Sequence, residues 1–207
     1  GSGSTYVAWG WDAGSGSAVS NTDGTITSSV KANTAKGFSI ATYTGNATDG
    51  ATVGHGLSQS PDMVIVKDRT NSASWRVMHK DIDYANNTLY LDQQYAETAD
   101  DRVKAVSSTT FTVTDGGGVN GSARDHVAYC FHSVSGYSSF GSYTGNGSTS
   151  GPTVSTGFRP AFIMIKRTDV ADNWIIYDTT RSPFNPADKG LFPNDDGAEL
   201  TGNDIDF

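Results

Sequence analysis

The sequence predicts an all-β protein made of two related antiparallel repeats, each a β-sandwich or barrel-like unit, with the second repeat incomplete at its C-terminal end. Three observations support this fold class. The chain of 207 residues is 11% aromatic but only 17% charged, which is too aromatic for a disordered chain and too poor in Leu, Glu and Lys for a helical one. Short apolar runs are separated by turns rich in Gly, Ser, Thr and Asn. The chain also resembles itself at a spacing of about 100 residues.

Positions that recur in both halves define the two repeats. They pair as Tyr43/Tyr143, Gly45/Gly145, Pro61/Pro160, Lys67/Lys166 and Trp75/Trp174. Shared structure explains such positions most simply, so we interpret them as structural. The prediction places the first copy at residues 1–125, with a Gly/Ser/Thr-rich insertion at 12–36, and the second at 126–207.

Two further features concern the ends of these copies. The second copy has no counterpart of residues 111–131, so we expect a fragment of a longer chain whose missing strands follow residue 207. Val7-Ala8-Trp9-Gly10-Trp11 follows Gly1-Ser2 as Val127-Ala128-Tyr129-Cys130-Phe131 follows Gly121-Ser122. The opening residues therefore resemble native repeat sequence, although Gly-Ser is also a common linker composition.

Individual strands are expected where apolar runs meet turn residues. Val64-Ile65-Val66 and Ile163-Met164-Ile165 each lie shortly after a proline, which suits the start of a strand. Residues 74–79 and 173–178 are their expected hairpin partners, across loops of roughly five residues. The run Gly116-Gly117-Gly118-Val119-Asn120-Gly121 fits the G-x-G-x-x-G pattern, but it leads into another predicted strand. We therefore interpret it as a turn.

Charge and apolar run length exclude two classes of partner. The net charge of −8 disfavours nucleic acid and anionic membrane surfaces. The apolar runs are far shorter than the roughly 20 residues that a helical membrane span needs. We expect neither nucleic-acid binding nor membrane insertion.

No catalytic motif, cofactor site or metal site is predicted, so the sequence favours a protein that is not an enzyme. The nucleophile pattern G-x-S-x-G is absent. The single cysteine, Cys130, lies in an apolar run and is expected to be buried. His55 and His79 show no ligand spacing and are interpreted as hydrogen-bonding turn or edge residues. Neighbouring acids such as Asp81 and Asp83 leave a glycosidase pair as a weaker alternative. A calcium loop at Asn194-Asp195-Asp196 is a second weaker alternative.

Ligand-binding candidates come from residues that differ between the copies. Tyr84, Tyr95 and the 12–36 segment belong to this class. An exposed tyrosine can stack on the apolar face of a sugar ring, while Asn and Asp bind its hydroxyls. The alternative is that both tyrosines simply cover the edge of a small core.

Several strings resemble a family, namely a domain of unknown function in tail-associated proteins of marine tailed bacteriophages, often next to concanavalin-like lectin modules. The strings are Tyr6-Val7-Ala8-Trp9-Gly10-Trp11, Val53-Gly54-His55-Gly56-Leu57, Phe140-Gly141-Ser142-Tyr143-Thr144-Gly145 and Pro160-Ala161-Phe162-Ile163-Met164-Ile165-Lys166. Gly10 stands where relatives often have Cys, so no role of that Cys is carried over. The resemblance supplies no catalytic residue.

The resemblance implies a structural and adhesive module of a tail fibre or virion appendage, located on the virion and outside the cell. Its implied partners are other copies of itself, as a trimer by analogy with fibres, other virion proteins and host surface glycan. The alternative is a carbohydrate-binding module of a secreted glycan-degrading enzyme. A shallow aromatic face would favour binding, whereas a deep cleft with paired carboxylates would favour catalysis.

Overall fold

The computed structural model describes residues 3–207, which form an all-β protein, as the sequence predicts. The described residues contain fifteen strands and two short helical turns. The strands are β1 (Val19–Asn21), β2 (Ser28–Asn33), β3 (Phe38–Thr44), β4 (Ala51–Gly54), β5 (Met63–Asp68), β6 (Arg76–His79), β7 (Asn87–Tyr90), β8 (Thr98–Ala99), β9 (Val103–Val106), β10 (Thr110–Val113), β11 (Asp125–Phe131), β12 (Phe162–Lys166), β13 (Trp174–Asp178), β14 (Ala187–Gly190) and β15 (Leu200–Ile205). A 3-10 turn covers Thr34–Lys36, and the helical turn α1 covers Gly117–Asn120.

The largest sheet has eight strands in the order β1-β2-β3-β11-β5-β6-β7-β8. Its pairs are antiparallel, and β11 lies at the centre between β3 and β5. Ala128 of β11 is opposite Ala41 on one side and Val66 on the other. The boundary expected between residues 125 and 126 therefore falls at the start of the strand that joins the two parts of this sheet.

A second sheet, with the order β4-β10-β9, packs against the large sheet. Phe111 and Val53 of the small sheet share one buried cluster with Val64, Val66 and Ala128 of the large sheet, and all five side chains have no exposed surface. Alternating strand residues point to this interior because successive side chains of a strand face opposite sides. We call the strands β1–β11 the main sandwich.

The β12–β13 hairpin packs against the other face of the large sheet, and β14 and β15 pair with each other beside β13. We call β12–β15 the outer layer. Trp174 of β13 is 4% exposed and packs with Met63, Ile65 and Val77. Its indole N–H donates to the carbonyl oxygen of Tyr90 at 2.7 Å. The outer layer is therefore anchored to the main sandwich by one buried aromatic ring.

The outer layer follows the strand order of part of the main sandwich. The β12–β13 hairpin pairs Phe162 with Asp178, as the β5–β6 hairpin pairs Met63 with His79. Ile176 then bridges to Leu191, as Val77 pairs with Leu89. This agreement is what the predicted repeat would produce.

Two regions differ from the sequence-based expectations. The 12–36 segment, in which no strand is predicted from the sequence, contributes β1 and β2 to the large sheet. The glycine run at 116–121, expected to be a turn before a strand, contains the single helical turn α1 before β11 begins. A Cβ atom at Gly117 would lie 2.7 Å from the Arg124 Nη1 atom, so the glycine permits this close approach.

Candidate functional site

Tyr95 presents an exposed aromatic ring on the segment between β7 and β8. Its side chain is 55% exposed. The ring meets that of Tyr90 edge-on, with centroids 5.6 Å apart and an interplanar angle of 87°. This T-shaped contact is a favoured aromatic geometry and leaves the Tyr95 ring partly open to solvent.

Backbone hydrogen bonds tie this segment to the outer layer. The Asp172 N–H donates to the Gln94 carbonyl oxygen at 2.8 Å, and the Glu97 N–H donates to the Thr168 carbonyl oxygen at 2.8 Å. Both partners belong to the β12–β13 loop. Tyr95 therefore lies at the seam between the main sandwich and the outer layer, on a segment held from both sides.

A charged network lies beneath this tyrosine pair. The Asp100 carboxylate accepts from Arg76 Nη1 at 2.9 Å, from Arg102 Nη2 at 2.6 Å and from the Tyr90 hydroxyl at 2.6 Å. The Arg76 guanidinium also lies 4.3 Å from the centroid of the Tyr90 ring, which is cation–π geometry. We call Tyr95, Tyr90, Arg76, Asp100 and Arg102 the tyrosine shelf.

Electrostatics fix the protonation states in the tyrosine shelf. Burial alone would raise the pKa of Asp100, but hydrogen bonds from Tyr90 and Arg102 and the arginine charges outweigh it, so the pKa is lowered. Burial and the hydrogen bond to Asp100 raise the pKa of Tyr90. Near neutral pH, Asp100 is a carboxylate and Tyr90 is a neutral donor. The Nε atoms of Arg76 and Arg102 are buried and have no hydrogen-bond partner in the described structure.

The other predicted tyrosine, Tyr84, occupies a different place. It is half-buried and packs against the core of the main sandwich. Within residues 3–207, no ring contact joins Tyr84 to Tyr95. The structure therefore separates the two candidates and leaves Tyr95 as the more exposed one.

A polar groove lies on the large sheet at the ends of β2, β3 and β11, with a volume of about 400 Å³. Its lining is rich in hydroxyls, from Ser20, Thr27, Ser28, Ser29, Thr42, Tyr43 and Thr44, together with Arg69, Asp125 and His126. The Asp125 carboxylate accepts from the Thr44 hydroxyl at 3.0 Å. The sequence does not reveal this groove, because its residues come from five separate parts of the chain.

The paired repeat positions have different surroundings in the two halves. The Lys67 ammonium donates to the Ala73 carbonyl oxygen at 2.7 Å, and the Lys166 ammonium donates to the Arg167 carbonyl oxygen. Each lysine therefore stabilises the loop of its own hairpin. The two prolines also differ, since Pro61 is buried and Pro160 is half-buried. Trp75 stacks on Tyr129 with centroids 6.2 Å apart, in contrast to the deeply buried Trp174.

Other paired positions are packed in the first half and open in the second. Tyr43 is 5% exposed, and its hydroxyl donates to the Val119 carbonyl oxygen at 2.6 Å, whereas Tyr143 is 53% exposed. A Cβ at Gly45 would lie 2.3 Å from the Gly121 oxygen, but one at Gly145 would meet nothing within 4 Å. The difference follows from β11 and the α1 turn, which cover Tyr43 and Gly45.

The histidines His55 and His79 and the single cysteine, Cys130, have structural roles. His55 is fully buried, with Nδ1 accepting from the Leu57 N–H at 3.1 Å and Nε2 lying 3.2 Å from the Ser107 carbonyl oxygen. His79 Nδ1 accepts from the Asp81 N–H at 3.2 Å. Both match the predicted hydrogen-bonding role. Cys130 is buried, as predicted, and burial raises its pKa to about 12.

Within the described residues, no group of three or more His, Cys, Asp or Glu side chains is arranged to hold a metal ion. None of the helices in residues 3–207 has the length and apolarity to cross a bilayer.

Comparison with known proteins gives one match. A family model described as a domain of unknown function, DUF7483, matches residues 1–207. The chain belongs to the DUF7483 family. No curated protein and no solved structure matches the chain. The function of this DUF7483 domain is therefore inferred from its own surface.

Proposed function

We propose that this DUF7483 domain is a structural and adhesive module of a bacteriophage tail fibre or virion appendage, and that it contacts host surface glycan through the tyrosine shelf. The observation that carries the proposal is the ring of Tyr95, which is 55% exposed and held edge-on by Tyr90. The resemblance to tail-associated proteins supports the location on a virion.

The shelf combines the two kinds of contact that sugars need. The apolar C–H face of a pyranose stacks on an exposed aromatic ring, and its hydroxyls bind fixed charged or amide groups. Asp100 and the two arginines supply such groups next to Tyr90. Because the ion pairs already hold these side chains in place, little side-chain entropy is lost on binding.

The layered β-structure suits the structural part of the proposal. The outer layer is anchored to the main sandwich by Trp174, so the shelf lies on a firmly packed seam. Single sugar contacts of this kind are weak, but several modules on one appendage would raise the overall avidity without any new contact.

Binding to immobilised bacterial lipopolysaccharide and capsular polysaccharide tests the proposal. We expect Tyr95→Ala to weaken binding about tenfold, which corresponds to ~1.4 kcal/mol of lost stacking. Tyr95→Phe keeps the ring and should bind like the wild type. Tyr137→Ala is the matched control, because Tyr137 is also exposed, at 46%, but lies under Lys36 on another surface. Absence of wild-type binding, or equal binding by Tyr95→Ala, would overturn the proposal.

A further inference from the structure

The strand β12 is apolar and is less fully covered than the strand at the matching position of the main sandwich. It pairs with β13 on one side, and in residues 3–207 no strand pairs with its other edge. All five of its residues, Phe162–Lys166, are partly exposed. In β5, the strand at the matching position of the main sandwich, Val64 and Val66 have no exposed surface. An apolar edge strand of this kind is a template for pairing with another strand.

The main sandwich shows which sequence covers such an edge. There, β11 runs antiparallel along β5, with Phe131 opposite Met63 and Ala128 opposite Val66. The apolar run of β11 is Val127-Ala128-Tyr129-Cys130-Phe131, and Val7-Ala8-Trp9-Gly10-Trp11 repeats its order of aliphatic, small and aromatic residues. Residues 7–11 form no strand in this structure. The chain therefore carries a second segment of the β11 type that has no sheet partner.

Within one chain, the tryptophan rings of residues 7–11 contact the ring of Phe162. The Trp11 ring meets Phe162 at 5.4 Å and 90°, and the Trp9 ring meets it at 5.8 Å and 67°. The register of β11 on β5, transferred to β12, places Trp11 opposite Phe162 and Trp9 as its diagonal neighbour, which gives the same two contacts.

Within one chain, however, the segment does not follow the open edge. The Trp9 indole N–H donates to the Asp178 carboxylate at 3.1 Å, and Asp178 belongs to β13, on the far side of β12 from that edge. The segment thus crosses the β12–β13 hairpin. At the end of the segment, the Asp12 carboxylate accepts a hydrogen bond from the Asn33 side chain at 3.2 Å, which holds the segment in this position. Within residues 3–207, the backbone edge of β12 therefore has no strand partner.

We propose that residues 7–11 of a second copy of this chain displace the chain's own Trp9 and Trp11 from Phe162 and pair antiparallel with the edge of β12, with Ala8 opposite Ile165 and Trp11 opposite Phe162. The main-chain hydrogen bonds of the added strand supply affinity, and the tryptophan rings and the small residue at Ala8 set the register. Each copy then donates one strand and accepts another. This contact is head-to-tail, so it builds a linear or ring-shaped assembly.

Site-directed cross-linking tests both the partner and the register. Separate variants Ala8→Cys and Ile165→Cys are mixed and oxidised, and the linked peptides are identified by mass spectrometry. A disulfide needs Cα atoms about 4.4–6.8 Å apart. We expect the 8–165 heterodimer as the major product, and only a trace with Ile163→Cys, which is shifted by two residues. The native Cys130 is buried and its pKa is raised to about 12, so we expect it to form no disulfide in this experiment.

Further measurements report on the folding of each variant and on self-association of the wild type. Each single variant should keep the wild-type melting temperature, which shows that it folds. Sedimentation of the wild type should reveal mass increasing with concentration, and a synthetic peptide of residues 5–12 should reduce that mass. If the mixture gives no heterodimer while the double variant Ala8→Cys/Ile165→Cys links only within one chain, the second-copy proposal is overturned. Equal linkage through Ile163→Cys would overturn the register.

Discussion

Removal of the Asp100 carboxylate should be among the most destabilising changes near the surface of this protein. Asp100 accepts three hydrogen bonds, from Arg76, Arg102 and Tyr90, and its side chain is only 15% exposed. Asp100→Ala would leave two arginines without their counter-charge, and breaking a buried pair in this way costs about 3–5 kcal/mol. Because Arg102 is 26% exposed and can turn towards water, we expect a value near the lower end, about 3 kcal/mol.

Urea unfolding at neutral pH, followed by tryptophan fluorescence, measures this loss. A loss of about 3 kcal/mol should lower the melting temperature of a chain of this size by about 6–12 °C. Tyr90→Phe is the matched control, since it removes one hydrogen bond to Asp100 but keeps both ion pairs, and should cost about 1 kcal/mol. A loss below about 1 kcal/mol for Asp100→Ala would refute the view that the carboxylate neutralises two otherwise unpaired arginines.

Two other predictions concern packing and pH. Gly45→Ala should destabilise the protein by about 1–3 kcal/mol, because the new Cβ would lie 2.3 Å from the Gly121 oxygen, whereas Gly145→Ala has open space and should be neutral in calorimetry. Burial lowers the pKa of His55, so below an unfolded pKa of about 6.5 the unfolded chain binds a proton that the folded chain does not. The free energy of unfolding should therefore have its full value above about pH 6.5 and should fall as the pH drops towards the lower folded pKa of His55. In urea titrations at several pH values, His55→Gln should make this fall less steep. An unchanged slope would contradict the assignment of the pH dependence to His55.

The hairpins were predictable from the sequence because their signals are local. An apolar run after a proline, a short polar loop and a second run beginning with tryptophan are enough to place β5–β6 and β12–β13. By contrast, β2 was not recognised as a strand. Its buried positions include Ser28, whose hydroxyl donates to the Gly54 carbonyl oxygen at 2.8 Å. A serine that is buried by hydrogen bonding cannot be distinguished from an exposed one by apolar periodicity.

The candidate site was predictable in part. Tyr95 stood out because the second half has no matching tyrosine, and the structure places it on the surface. The partners Arg76, Asp100 and Arg102 were missed because they come from β6 and from the segment before β9, which only the sheet order brings together. Asp100 looked like one of several acids on a chain of net charge −8. Charge pairing between distant strands leaves no spacing pattern in the sequence.

The central position of β11 also governs how the nascent chain can fold on the ribosome. β5 ends at Asp68 and β11 ends at Phe131, so the main sandwich cannot close until 63 more residues have been made. At about 5–20 residues per second, translation of that stretch takes about 3–13 s. During this interval the emerging β5 lacks its neighbour and offers an apolar edge to chaperones and to neighbouring nascent chains. Closure by a late, long-range strand makes the main sandwich a slow folder by its topology.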